Sequence, residues 1–246
     1  PGLVHLYDYE SGAYEAMIES DWLGRMRTAA TTAVATRLMA REDASVVACF
    51  GLGRHGSFQL AAVSAVRKIS RVQVYGRNRE RVSGFCSSMS QRLGVPVEAM
   101  ATAQKALAGA DIVNLITPSA TPLFDGAWLE PGQHVNAAGS NEFNRREIDL
   151  ETIRRSDVIV VDSREVAQAE SGDLLPAVDA GLVQWEQLAS LADIVAGRRA
   201  ARTSPDQITL FESHGMCIED IYVGQHVLAE SRKHNVGLDL PIAEWV

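Results

Sequence analysis

Ser45-Val46-Val47-Ala48-Cys49-Phe50-Gly51-Leu52-Gly53-Arg54-His55-Gly56 decides how this 246-residue chain is read. Residues of buried-strand type run into Gly-x-Gly-x-x-Gly, and Ser57 to Val66 has the composition of a helix. A dinucleotide needs that order. Gly51 permits the tight turn leaving the strand, Gly53 lets the backbone approach a pyrophosphate, and Gly56 lets the helix pack close to the sheet. The helix N-terminus then turns its N–H groups toward the phosphates. A glycine triplet alone is equally a turn with no ligand; the strand before it and the helix after it favour the nucleotide loop. Arg54 and His55 lie inside the loop and are read with it as cofactor-binding residues, His55 either contacting phosphate or facing solvent.

Composition bounds the rest. Apolar residues make up 46% and charged residues 22%, the profile of a soluble globular protein with an ample core. A net charge of −8 disfavours nucleic acid and anionic membranes as partners, since both call for a basic face. No apolar stretch reaches membrane-spanning length and no signal-peptide pattern is present. Cys49, Cys86 and Cys217 are few and far apart, which fits a reducing cytoplasm. The six histidines and three cysteines make no zinc pattern, and neither G-x-S-x-G nor G-x-x-x-x-G-K occurs, so metal hydrolase, serine hydrolase and P-loop chemistry are poorly supported.

Working outward from the glycine loop, strands and helices alternate. Strands are expected at Val72 to Tyr75, Val97 to Ala99, Ile112 to Thr117, His134 to Ala138 and Val158 to Val161, with helices near 57–68, 79–93, 103–108 and 145–155. Such alternation predicts a doubly wound, Rossmann-type α/β fold whose parallel sheet is covered on both faces. Glu165 to Ala169 reads as helical, and a looser region with Gly172, Pro176, Gly181 and Gly197 follows. Before the loop, Leu3 to Tyr7 and Tyr14 to Ile18 flank a hairpin turn, and Asp21 is placed to cap an Ala-rich helix over about 23–40. Near the end, Ile208 to Phe211 reads as a strand, Ser213 as the cap of a helix running from Ile218 to Lys233. Residues 41–203 are therefore expected to form the dinucleotide domain. Residues 1–40 and 204–246 are expected to make a smaller, discontinuous substrate and dimerisation domain, with the active site in the cleft between the two.

Several side chains suit chemistry at the carboxyl ends of these strands, where doubly wound sheets bind ligands. The second strand ends Val74-Tyr75-Gly76-Arg77-Asn78-Arg79. NAD enzymes usually place an acid there for the ribose 2′-hydroxyl; here two arginines stand instead, and a guanidinium can fork onto a 2′-phosphate. Arg77 and Arg79 thus point to NADP ahead of NAD, the alternative being solvated surface charges, and Asn78 is read with Arg77 as a cofactor-binding residue. Thr117 and Ser119 offer hydroxyls to ribose or phosphate, or merely brace turns around Pro118 and Pro122. The run Asn136-Ala137-Ala138-Gly139-Ser140-Asn141 would let a flat ring lie against the backbone, with the Asn141 amide beside it. Arg27, in an Ala-rich helix, calls for a partner: a substrate carboxylate or an internal acid. His214 is either a proton donor or structural.

In chain order, Leu6-Tyr7-Asp8 with Ser11-Gly12, Met26-Arg27-Thr28-Ala29-Ala30, the glycine loop, Thr117-Pro118-Ser119, Asn136-Ala137-Ala138-Gly139-Ser140, Arg146-Glu147-Ile148-Asp149, Ala169-Glu170-Ser171-Gly172-Asp173-Leu174, and Phe211-Glu212-Ser213-x-Gly215 with Glu219-Asp220 resemble the ornithine cyclodeaminase/mu-crystallin family. The resemblance implies a dinucleotide domain plus a substrate domain that also builds a homodimer. It implies that Arg27 holds a substrate carboxylate, that Thr28 lies near the cofactor phosphates, and that Thr117, Ser119, Ala138 and Ser213 surround the nicotinamide half. Two departures qualify it. Cyclodeaminases carry an acid–base Asp where Asn141 stands, and Asn cannot exchange a proton at ordinary pH. The family's N-terminal segment, with a catalytic Lys and a further carboxylate-binding Arg, has no counterpart in a chain beginning Pro1-Gly2, so the N-terminal part of the fold is expected to be truncated or the substrate site reduced.

The expected activity is an NAD(P)H-dependent oxidoreductase acting on the C=N or CH–NH bond of a small imino or amino acid, as a ketimine or cyclic-imine reductase or an amino-acid dehydrogenase. Arg27 and Asn141 are the residues expected at the substrate. Two alternatives stand beside it. One is ornithine cyclodeamination to proline and ammonia, against which Asn141 argues. The other is a non-catalytic protein of mu-crystallin type that binds NADP and a small ligand.

Overall fold

The computed structural model describes residues 2–240; Pro1 and the last six residues of the 204–246 segment lie outside them. The chain opens with an antiparallel hairpin, β1 (Leu3–Tyr7) and β2 (Tyr14–Glu19), and the helix α1 (Ser20–Met39). Then come β3 (Val46–Phe50), α2 (Gly56–Val66), β4 (Arg71–Tyr75), α3 (Arg79–Leu93), β5 (Val97–Ala99), α4 (Ala103–Leu107), β6 (Ile112–Leu115) and β7 (His134–Ala137). The series continues with α5 (Leu150–Arg155), β8 (Val158–Val161), α6 (Arg164–Glu170), α7 (Leu174–Asp179), β9 (Ala189–Ser190), α8 (Leu191–Val195), β10 (Thr209–Glu212) and α9 (Cys217–His234).

Two compact units result, one from Thr28 to Met216, the other comprising the residues through Arg27 with those from Cys217 onward. In the larger unit eight strands form a sheet in the order β5-β4-β3-β6-β7-β10-β8-β9, every neighbouring pair parallel. A parallel sheet is buried on both faces, so its strands read as continuous apolar runs. Val47 to Phe50 and Ile112 to Leu115 are accordingly all buried, although Asn114 interrupts the second run. Phe50 packs against Tyr75 and Phe124, with ring centroids 6.0 and 5.9 Å apart. At the other end of β3, Asp111 accepts the N–H groups of Ser45 and Val46 at 2.8 and 2.9 Å and pairs with Arg41.

The unit boundaries differ from those expected at residues 40 and 203. Strand β10 comes last in the chain, yet it lies between β7 and β8 with all four residues buried. Pairing on both sides satisfies its backbone groups, so residues leading to it belong with the sheet. The latter part of α1 belongs there too, because Ala35 and Met39 are buried with Val160 and Phe211.

Local chemistry accounts for the other differences. Helix α1 starts earlier than expected, and its first N–H groups, from Asp21 and Trp22, go to the Glu19 carboxylate at 2.8 and 3.4 Å; Asp21 itself pairs with Arg25 one turn on. Helix α5 starts at Leu150, not near 145, because Asp149 caps it through Thr152 N–H at 2.8 Å. The N–H groups of Glu147 and Ile148 are instead taken by Asp173 at 2.9 and 3.1 Å. The looser region contains α7, β9 and α8, elements too short to leave a periodic signal. In the smaller unit α9 lies on the hairpin: a Cβ on Gly224 would stand 3.4 Å from Leu6 and 3.6 Å from Ile18. Among the described residues no helix is long and apolar enough to cross a membrane.

Candidate functional site

The chain runs from β3 outward to β4 and β5, then returns through α4 to β6 on the other side of β3. This reversal opens a crevice at the carboxyl ends of β3 and β6, where open α/β sheets bind ligands. The glycine loop sits there, and each glycine has a separate reason. Gly51 adopts φ +105°, and a Cβ on it would collide with the Ile116 carbonyl. A Cβ on Gly56 would collide with the Gly51 carbonyl and stand 3.5 Å from Phe85. Gly53 has nothing within 4 Å of where a Cβ would be. Gly51 and Gly56 therefore answer to the fold, whereas Gly53 leaves open backbone of the kind a pyrophosphate approaches. The N-cap position of α2 is held by His55 in a helical conformation (φ −82°, ψ −31°), and no acid lies in the helix's first turn. That end carries the positive pole of the helix. Arg54 is exposed and His55 half-buried. Among the described residues no group of acids, histidines and cysteines could hold a metal ion.

At the carboxyl end of β4, Arg77 and Arg79 are exposed, and the first acid after the strand is Glu80, in the first turn of α3. Asn78 has a structural task. Its Oδ1 accepts the Arg81 N–H at 2.9 Å and caps α3.

The ends of β6 and β7 are tied together by one side chain. Glu147 is fully buried; its Oε1 accepts the Thr117 N–H at 2.6 Å and its Oε2 the Gly139 N–H at 2.7 Å. A Cβ on Gly139 would collide with the Thr117 backbone and stand 2.8 Å from the Glu147 carboxyl carbon. Burial, opposed by those N–H bonds and assisted by Asp173, pushes the Glu147 carboxyl up to about 8, and burial pushes Asp173 up to about 6. Thr117 and Ser119 brace the proline turn: Thr117 Oγ1 accepts the Ser119 N–H at 3.3 Å, and Ser119 Oγ donates to the Thr121 carbonyl at 2.7 Å. Ala138 continues the ladder by donating to Leu115 at 3.1 Å. Asn141 is exposed, and its Oδ1 accepts from Arg145 at 2.9 Å.

A second acid stands at the end of β8. Asp162 Oδ2 accepts the N–H groups of His214 and Gly215, both at 2.7 Å, and the Ser213 hydroxyl at 3.2 Å. Burial works to raise Asp162, but His214 and these hydrogen bonds outweigh it and hold the carboxyl below its ordinary value. Ser213 is thus fixed beside β7, its N–H on the Ala137 carbonyl at 2.9 Å, and caps no helix, α9 beginning only at Cys217. The His214 side chain is buried, Nδ1 3.5 Å from Asp162 and Nε2 3.8 Å from Glu212. Glu212, at the end of β10, is fully buried too. Glu147, Asp162 and Asp173 are not marked by local spacing, since each finds partners in segments distant in sequence, and Glu212 makes no hydrogen bond among the described residues. The structure thus brings Thr117, Ser119, Ala138 and Ser213 onto one rim of the sheet, with β6 and β7 standing between the strand of the glycine loop and that of Ser213.

In the larger unit Thr28 is half-buried, its carbonyl accepting the Thr32 hydroxyl at 3.2 Å. In the smaller unit Arg27 has acid partners: Nη1 lies 3.0 Å from Glu219 Oε2 and Nε 3.1 Å from Asp220 Oδ1. The two acids at the start of α9 fix the plane of the guanidinium.

Known proteins share both the sequence pattern and this arrangement. A Delta(1)-pyrroline-2-carboxylate reductase of Bacillus cereus is 34% identical over 237 residues, covering 96% of this chain and 73% of that protein. The Thermococcus litoralis Delta(1)-pyrroline-2-carboxylate reductase, solved in complex with NADH and L-proline, superposes with a TM-score of 0.93 at 34% identity, covering 96% of this chain and 73% of that one. An archaeal alanine dehydrogenase dimer with bound NAD gives a TM-score of 0.92 at 30% identity, covering 98% of this chain and 74% of its own. The family model for ornithine cyclodeaminase/mu-crystallin matches residues 2–235, and the chain belongs to that family.

Proposed function

We propose that this protein is an NAD(P)H-dependent reductase of small 2-imino acids, with a cyclic imine such as Delta(1)-pyrroline-2-carboxylate as its substrate class. One observation carries the reading: a switch-point glycine loop with open backbone at Gly53 shares its sheet rim with an amide, Asn141, where cyclodeamination would require an acid. The named relatives support it, two being reductases of that imine. A bound nicotinamide supplies the hydride for the imine carbon. The chain supplies position. Gly53 and the N-terminus of α2 receive the pyrophosphate, and Thr117, Ser119, Ala138 and Ser213 frame the ring. Arg27 orients the substrate carboxylate, exchanging an acid partner for it.

The reading extends to the cofactor and the assembly. Arg77 and Arg79, standing where an acid would meet the ribose of NAD, favour the 2′-phosphate of NADP over the 2′-hydroxyl of NAD. The smaller unit exposes Tyr7, Tyr9, Met17 and Trp22, an apolar surface suited to a second copy of this chain, as in the dimeric archaeal relative. Three free cysteines suit a reducing, cytoplasmic setting.

The test follows NADPH and NADH oxidation with Delta(1)-pyrroline-2-carboxylate, using the full-length gene product. Imine-dependent oxidation, faster with NADPH, is expected. Arg27→Ala should raise KM for the imine by about tenfold or more, the loss of a charge-assisted hydrogen bond, and leave cofactor affinity nearly unchanged. No oxidation with either cofactor over a panel of cyclic and linear imino acids would reject the reductase.

A further inference from the structure

The rim holds more buried acid than the proposed reaction uses. Glu147, Asp162, Asp173 and Glu212 lie on or beside the ends of β6, β7, β8 and β10, each at most 3% exposed, with the His214 ring beside them. Three of the four have conspicuous work. Glu147 ties Thr117 to Gly139, Asp173 holds the Glu147 and Ile148 N–H groups, and Asp162 gathers residues 213–215. Glu212 has none among the described residues: neither carboxyl oxygen has a hydrogen-bond partner there, and His214 Nε2 stands 3.8 Å away. Asp173, Glu147 and Asp162 all repel a charge on it.

A carboxylate in that position would be desolvated, unsupported by donors and surrounded by like charge, each repulsion amounting to a few kcal/mol at contact range. The neutral acid avoids all three penalties. We propose that Glu212 is a positioning residue for cofactor binding: as a neutral acid it lets the other carboxyl groups share the rim and hold Thr117, Gly139 and Ser213 in place, and as a carboxylate it forces them apart. The proposal rests on the dinucleotide reading of that rim. The groups facing Glu212 are Glu147 and Asp173 on the loops packed against β10, Asp162 on β8, and His214 on its own segment. Burial and those three acids raise the Glu212 carboxyl well above its ordinary value. A group raised in the folded state has its full stabilising effect below its ordinary value and loses it progressively as pH rises toward the raised value, so the loss here begins above the ordinary carboxylate range and grows with pH.

Glu212→Gln keeps the shape and removes the ionisation. The experiment measures NADPH affinity by calorimetry and melting temperature, for wild type and variant, between about pH 5 and pH 9.5. The wild type should lose about tenfold in affinity over that range while its melting temperature falls. In Glu212→Gln the affinity should change less than about twofold, and the variant should melt higher than wild type at the alkaline end, the difference shrinking toward pH 5. An alkaline limb persisting unchanged in the variant would assign it to Glu147 or another group and overturn the proposal. So would a Gln variant that fails to fold, because a neutral isostere is the form said to be native. Both readouts are independent of turnover: absent imine reduction with the affinity pattern intact rejects the reductase alone, and absent NADPH binding by the wild type rejects the dinucleotide reading and this proposal with it.

Discussion

The two halves of the sheet's carboxyl rim are built on opposite principles. Around β3 and β4 the loop is shaped by backbone: glycines stand where a side chain would collide, and the first turn of α2 carries no acid. Around β6, β7, β8 and β10 it is shaped by side chains, four buried carboxyl groups meeting there and three of them, Glu147, Asp162 and Asp173, gathering N–H groups from loops that share no local sequence. The first half is fixed by sterics and is indifferent to pH. The second is held by charge and hydrogen bonding in a desolvated place, where such bonds are stronger and each unmet group costs more.

This contrast can be broken at defined positions. The largest effect is expected at Gly139, where sterics and charge meet. Gly139→Ala drives a methyl into the Thr117 backbone and against Glu147, and should lower the unfolding free energy by more than about 4 kcal/mol. Denaturant titration reads this, and a loss under about 1 kcal/mol would mean that the rim relaxes easily. Next is Glu147→Gln. An amide NH2 cannot accept the N–H that one carboxylate oxygen now takes, so about 2–4 kcal/mol of stability and most of the cofactor affinity should go. That result, set against a benign Glu212→Gln, distinguishes an acid that holds strands from one that must stay neutral. The smallest effect on folding is expected at Gly53. Gly53→Ala meets nothing, so stability should stay within about 0.5 kcal/mol while NADPH affinity falls sharply. A variant that binds NADPH normally would remove Gly53 from the cofactor site.

The same contrast explains what could be read in advance. Strand β8 falls at Val158–Val161 and β5 at Val97–Ala99, as their apolar composition predicts, because buried parallel strands are marked by a local property. The start of α5 was misplaced because a helical pattern over 145–155 says nothing of Asp173, which takes the N–H groups of Glu147 and Ile148 from 26 and 25 residues away. Ser213 read as a helix cap for a similar reason, as its hydroxyl goes instead to Asp162, 51 positions earlier. Arg27 called for a partner, and only the fold names Glu219 and Asp220, some 190 residues on, as its companions.

By itself, then, the sequence determined the alternating architecture, the glycine loop and the family, because hydrophobic period and glycine sterics act between near neighbours. The tertiary structure alone decided that β10 enters between β7 and β8, and that Glu147, Asp162, Asp173 and Glu212 meet there. The physical reason is that a carboxyl group's role is set by what surrounds it after water is removed, and those surroundings are assembled from strands the chain reaches only at long range.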